Sequence, residues 1–456
     1  MTITNNALSG ALAAQAALNT VSQNLANAQT KGYTRQGVLL TAVASDPNTK
    51  SSGNGVQIGS LLRFSDAYKT QQMWRAASDL GAHTENQRYL TQMETVMSDP
   101  KSSITYGIDN FFAALNAAAA DPTSTPLRQQ VITAADSMSQ QINSIYNVTA
   151  NQLISLRQQQ TAILPSLNQS LSDIALLNQQ IISAGSVGSN TSALVDKRDQ
   201  LTDSVASQVA VEVLDNPDGT VSISLKSGQP LVVSNLASKL SYDAVGGVAT
   251  LTVTFAGSKF KLDDTQVGGQ LGGLADYKQN TLLPLQQSIA QIAEQLADKV
   301  NTQLAGGFKN RTDPGPPLLK FNPTSATGLL QVSAGFSSDD LAFSSDGTPG
   351  DTGNLQKLIE IKGQPITVTA LGSVLLGDAD TQMVGKLGVE SRQNKSQLRT
   401  ATTIRNQSED DWKSTSGVNT DEEGINLVEF QNMYQANMKV IAVANTLFDS
   451  TLQMFG

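Results

Sequence analysis

Residues 420–455 read TDEEGINLVEFQNMYQANMKVIAVANTLFDSTLQMF. Leu427, Tyr434, Ile441, Phe448 and Phe455 recur at seven-residue intervals, and Gln431, Met438, Asn445 and Leu452 fill the intermediate positions. This spacing predicts a long helix with a coiled-coil seam. Thr420 and Glu423 form a T-x-x-E capping box, which makes Thr420 the expected N-cap. Asp421, Glu422 and Glu423 occupy the first turn, where the helix dipole favours negative charge. Burying each large seam side chain is worth roughly 1.5–3 kcal/mol, so a seam at the end of a chain has to be covered. The N-terminal helix, a neighbouring subunit and a carrier protein are the candidates.

The other end of the chain offers a partner. Ala11, Ala14, Leu18, Val21, Leu25 and Ala28 alternate steps of three and four, a second seam built partly from small residues. Thr4 or Asn5 is the expected cap, and Gly32 suits a left-handed exit.

Between these helices the pattern changes several times. Residues 36–64 read as short strands or a hairpin-like arm turning at Asp46-Pro47-Asn48 and Gly53-Asn54-Gly55. Helices are expected at 65–98, 103–120, 124–184, 191–208, 272–304 and 372–413, with Pro165 and Pro284 kinking or breaking theirs. Residues 209–265 alternate apolar and polar positions through Val211, Val213, Val221, Ile223 and Leu225 and turn at Asp215–Gly219, a β-rich insert. Residues 305–370 are mixed and rich in Gly, Pro, Ser and Asp. The fold class is mainly α with a β-rich insert: terminal coiled-coil helices, an elongated helical-bundle rod domain and a small β domain, discontinuous in sequence.

Composition narrows the function. The 456-residue chain has no cysteine, one histidine and a net charge of −9. Disulfides, thiolate nucleophiles and Cys zinc sites are excluded. A net acidic chain is a poor ligand for nucleic acid or anionic membranes. No apolar run approaches the ~18 residues of a membrane span, and the start lacks the basic, then apolar, pattern of a secretory signal. This leaves a cytosolic protein or one exported by a different signal. Hydrophobic residues are 39% and charged residues 15%, so neutral polar residues fill the difference and the core is expected to be thin.

No motif for catalysis stands out. Gly53–Gly59 and Gly268–Gly273 resemble phosphate loops only loosely and read better as turns and joints. His83 reads as a solvated helix residue. Glu409-Asp410-Asp411 reads as a solvated face, and Asp421-Glu422-Glu423 as a helix start. No catalytic, cofactor or metal residues are assigned.

The stretch Ser22-Gln23-Asn24-Leu25-Ala26-Asn27-Ala28-Gln29-Thr30-Lys31-Gly32-Tyr33-Thr34-Arg35-Gln36 resembles the N-terminal signature of bacterial flagellar axial proteins. The stretch Gly417–Glu423, followed by Asn426–Gln431 and Tyr434–Asn437, resembles their C-terminal signature. Gly32-Tyr33-Thr34-Arg35-Gln36 points within that superfamily to the hook-associated proteins of the hook–filament junction. Leu194–Leu201, Leu271–Leu274 and Lys299–Gln303 add weaker similarity. The ending Gln453–Gly456 departs from the Leu-Arg type common in the superfamily.

The resemblance implies an assembly motif of Asn24, Asn27, Gly32, Tyr33, Arg35, Asn419, Thr420, Asp421, Glu422, Glu423, Asn426, Gln431, Tyr434 and Asn437. It implies a chaperone and subunit interface of Leu427, Phe430, Tyr434, Met438, Ile441, Phe448, Leu452 and Phe455. Segments 1–35 and 418–456 would form an inner tube, 36–208 and 266–417 a rod domain, and 209–265 an outer β domain. The implied role is structural, at the junction of hook and filament, in filament assembly and motility. The implied partners are further copies in a ring, the hook protein, a second junction protein (hook-associated protein 3), an export chaperone and the type III export apparatus. A hook or rod subunit is the alternative within the superfamily. A secreted hydrolase on the same frame is the remote alternative, and it requires a buried acid pair of raised pKa within 209–370.

Overall fold

A computed structural model of the chain describes residues 2–44, 53–100, 103–245, 248–325 and 328–455. They gather into two compact units, each discontinuous in sequence. The first holds residues 1–80, 165–262 and 401–456, and the second holds 81–164 and 263–400.

In the first unit, helix α1 (Thr2–Ala26) runs along helix α10 (Thr420–Phe455). Asn24 meets Glu423 at one end, and Gly10 lies against Asn437 further along, so the pair is antiparallel. The buried residues of α1 are Ala7, Gly10, Ala11, Ala13, Ala14, Ala17, Val21 and Asn24, so Ala11, Ala14 and Val21 of the expected seam are buried. The sequence reading also put Leu18, Leu25 and Ala28 on that seam. Leu18 and Leu25 are only half-buried flanks, and Ala28 lies past the helix end. Small residues won because the two backbones approach closely: a Cβ at Gly10 would sit 2.6 Å from the Asn437 side chain. Neither expected cap serves α1, which already runs from Thr2.

Helix α1 has 25 residues and α10 has 36. Antiparallel pairing therefore uses up α1 before α10 ends. Leu447, Phe448 and Leu452 on the overhang are 60%, 65% and 57% exposed.

Strands β1 (Gln36–Ala42) and β2 (Val56–Arg63) pair antiparallel as the expected arm, with a register shift between Leu39 and Leu40. The turn at Asp46–Asn48 lies outside the described residues. Helix α2 (Ala67–Met97) and helix α3 (Ile104–Ala118) follow. Helix α4 spans Thr125–Ser186 without interruption, and Pro165 neither ends nor breaks it.

Helix α5 (Ser192–Gln208) leads into a four-stranded antiparallel sheet of β3 (Val211–Asp215), β4 (Val221–Leu225), β5 (Pro230–Val233) and β6 (Leu236–Ala237). A second, three-stranded sheet holds β7 (Lys239–Val245), β8 (Val248–Phe255) and β9 (Ser258–Lys261). Val221, Ile223 and Leu225 alternate inward, as period-two patterning requires. Two asparagines of α4 act as strand surrogates. Asn178 donates to Val221 O at 2.9 Å and accepts from Val221 N at 3.2 Å. Asn168 makes the same pair with Leu240, at 2.9 and 2.8 Å.

The second unit uses the same device. Asn143 clamps both backbone groups of Leu330, Asn301 those of Leu319, and Gln295 those of Thr367. An amide side chain carries a donor and an acceptor, so one residue satisfies both backbone groups of a strand residue.

Helix α6 (Gly269–Asp276) starts earlier than the expected 272 and continues through a π turn, Tyr277–Leu282, into helix α7 (Leu283–Ala305). Pro284 is the second residue of α7, directly after the π turn, and no break follows. A Cβ at Gly273 would lie 2.2 Å from the carbonyl oxygen of Ala82, which explains the glycine at that position. In 305–370, β10 (Leu319–Phe321) pairs with β11 (Leu330–Val332), and helix α8 covers Gly353–Glu360. The helix expected over 372–413 begins later. Residues Gly372–Leu375 form strand β13, paired with β12 (Pro365–Val368), and helix α9 spans Ala379–Ser416.

Candidate functional site: the node joining the chain ends

Asn24 closes the buried line of α1 with a polar side chain. Its amide nitrogen donates to Gln36 O at 2.8 Å and to Glu423 Oε2 at 3.1 Å. Its oxygen accepts from Gln36 N at 3.0 Å and from the Tyr33 hydroxyl at 2.9 Å. All four capacities of one amide are used to tie α1, the arm and α10 together. The Tyr33 pKa is raised by burial and by the carboxylates of Asp196 and Glu423, so the hydroxyl remains a donor.

Glu423 is 2% exposed. In the sequence reading it closed a capping box with Thr420. The structure instead makes Asn419 the cap, its Oδ1 accepting from Asp421 N at 3.0 Å, and Thr420 is the first helical residue. Glu423 is thereby free to turn inward, to Asn24 and to Arg35 Nε at 3.7 Å. Arg35 also meets Glu422 at 2.5 Å, stacks on Phe64 and donates its backbone N–H to Ser416 O at 2.8 Å.

A second layer lies on α5. Asp196 accepts from Thr34 N at 3.1 Å and from Arg63 Nε at 2.9 Å, and Asp199 accepts from Arg63 at 2.8 Å. Asp203 takes both nitrogens of the Arg405 fork at 2.7 and 2.9 Å. Gln200 donates to Lys31 O and packs against Gly32, whose φ of +75° supplies the left-handed exit. Lys31, Tyr33, Arg63, Asp203, Arg405 and Trp412 line a cleft of about 740 Å³ beside these pairs.

The structure thus brings together Asn24, Tyr33, Arg35, Asn419, Glu422 and Glu423. Asn27 serves a local turn, accepting from Thr30 Oγ1 at 3.2 Å. Asn437 lies further along α10, against Gly10. Asp421 and Gln431 are exposed, and Asn426 and Tyr434 half-buried. On the interface stripe, Leu427, Met438, Phe448 and Leu452 are exposed, and Phe430 and Ile441 are half-buried. The Phe455 side chain lies outside the described residues.

Sequence reasoning missed Arg63, Asp196, Asp199, Asp203 and Arg405. One signal was available: the three aspartates are spaced three and four apart, on one face of α5. We expect Arg63→Ala to leave the buried Asp196 without a cationic partner and Asp199 with Arg198 alone, and to destabilise the first unit by about 3–5 kcal/mol. Arg63→Lys should recover less than half of that loss, because an ammonium cannot present a planar fork to two carboxylates. Equal stability of the two variants in thermal unfolding would contradict this reading.

Comparison with known proteins agrees with this geometry. Residues 90–319 match the family model described as the flagellar hook-associated protein FlgK helical domain. Residues 414–454 match the model described as the flagellar basal body rod FlgEFG protein C-terminal. Flagellar hook-associated protein 1 of Escherichia coli strain K12 is 25% identical over 99% of both chains. The protein of that name from Bacillus subtilis strain 168 is 25% identical over 97% of this chain and 96% of its own. The solved structure of the flagellar hook junction protein FlgK from Burkholderia pseudomallei superposes with a TM-score of 0.68 at 17% identity, covering 75% of this chain and all of the other, a likeness of fold. With half of its length matched by the helical-domain model and both ends joined in one node, the chain belongs to the FlgK family of flagellar hook-associated proteins.

Proposed function

We propose that the protein is a structural subunit of the bacterial flagellum, located at the junction of hook and filament and needed for filament assembly and swimming. The observation that carries this reading is the α1–α10 pair. It is locked at one end by the buried Asn24–Glu423 contact and leaves Leu447, Phe448 and Leu452 uncovered at the other. Such an overhang is stable when other chains cover it.

In this proposal segments 1–35 and 418–456 form the inner layer of a tube, 36–208 and 266–417 the rod domain, and 209–265 the outer domain. Copies form a ring that receives the hook protein on one side and a second junction protein on the other. The chain leaves the cell through the type III export apparatus, and an export chaperone covers the C-terminal stripe beforehand. Zero cysteines suit a chain that travels unfolded.

The hydrolase reading finds no support among the described residues of 209–370. Every carboxylate there whose pKa moves goes down, through hydrogen bonds, as at Asp218, Asp243, Asp340 and Asp351. A general acid requires the opposite shift.

The test is complementation. Cells lacking the gene should carry hooks without filaments, and the wild-type gene should restore filaments and swimming. Normal filaments in the deletion strain would overturn the proposal.

A further inference from the structure

Helix α1 meets α10 at two polar points. Asn24 donates to Glu423 Oε2 at 3.1 Å, and Gly10 lies against the Asn437 side chain. In both contacts the residue numbers add to 447, so one antiparallel register holds along the pair. The two points are 14 residues apart on each helix, two heptads of a coiled-coil seam. The same register sets the buried Ala17 and Ala14 opposite the half-buried Phe430 and Met433. It also brings Thr2, where α1 starts, level with Asn445, and from Asn445 to Met454 every residue of α10 is exposed.

A seam of alanines repeats one small side chain and cannot by itself choose between heptads. Gly10 is the one glycine of α1, and glycine weakens a helix interior relative to alanine. A Cβ at that position would meet Oδ1, Nδ2 and Cγ of Asn437 at 2.6, 2.8 and 2.9 Å. Asn437 is held in place, because its Nδ2 donates to Met433 O, one turn back, at 2.9 Å. A slip of one heptad in either direction would set Asn437 against Ala17 or Ile3, each of which carries a Cβ.

We infer that Gly10 and Asn437 are a matched socket and pin that fix the register of α1 on α10 beyond the Asn24–Glu423 contact. A polar side chain at one seam position is a known way to specify register. The register decides where α1 runs out, and so how much of α10, Thr446–Phe455, is offered to other chains. The value of the pin to assembly rests on the reading above, whereas the register itself does not.

The chain has no cysteine, so introduced thiols report unambiguously. In the purified full chain, Ala14→Cys with Met433→Cys samples the observed register, and Ala14→Cys with Val440→Cys samples a one-heptad slip. Under mild oxidation the first pair should close within one chain about fivefold more than the second. Adding Gly10→Ala should abolish that preference, although alanine is the better helix former, and adding Asn437→Ala to Gly10→Ala should restore it. In the deletion strain Gly10→Ala should lower the number of filaments about tenfold, and the double variant should return it to within about twofold of wild type. Equal closure of the two pairs without further substitution would overturn the pin, as would a Gly10→Ala chain that keeps the preference. A double variant as poor as Gly10→Ala would overturn it too, since position 10 would then act through something other than Asn437. A register that responds as expected while filament number stays unmoved would keep the pin and overturn its link to assembly.

Discussion

Asn24→Ala is expected to destabilise the first unit by about 2–4 kcal/mol, because it orphans a buried carboxylate, a tyrosine hydroxyl and two backbone groups at once. Glu423 would lose its amide donor and keep only the 3.7 Å contact with Arg35. Gln36 would lose partners for both its N–H and its carbonyl. The damage should stay local. Amide exchange should accelerate across 21–36 and 419–426, while the second unit keeps its protection. Asn24→Asp should be nearly as harmful, since it replaces the donor facing Glu423 with a second anion. Unchanged exchange in 30–36 for the alanine variant would show that the node does not hold the arm.

The second prediction separates folding from assembly. Leu447→Asp, Phe448→Asp and Leu452→Asp combined should leave the monomer's stability within about 0.5 kcal/mol, because these side chains already face water. The same triple variant should abolish filament assembly and capture by the export chaperone. Each of these side chains is worth roughly 1.5–3 kcal/mol once covered, and carboxylates in their place would be desolvated at a cost. Circular dichroism melting and filament counts on cells carrying the variant give the two readouts. A variant that folds and still assembles would remove the overhang from the account.

The sequence disclosed much of this architecture, and its failures have physical causes. The seven-residue recurrence from Leu427 to Phe448 revealed α10, and alternation through Val221, Ile223 and Leu225 revealed β4. The seam of α1 was half legible: Ala11, Ala14 and Val21 were recognised, but Leu18 was preferred to Ala17 because a size-based pattern cannot express close backbone approach. Thr420 reads as the cap because T-x-x-E is a local signal. Asn24, which claims Glu423, is 399 positions away. Asn168, Asn178 and Asn143 looked like ordinary polar helix residues. Their work as strand surrogates depends on backbone delivered from 43 to 187 positions downstream. The surplus of neutral polar residues, read as a sign of a thin core, is partly this inventory of amide clamps.

Labelling shows where on the flagellum the protein sits. An epitope tag inserted in the exposed turn at Ser227 should be visible by immunogold electron microscopy as a single narrow band where the hook meets the filament. Label spread along the hook, the rod or the length of the filament would contradict a place at the junction.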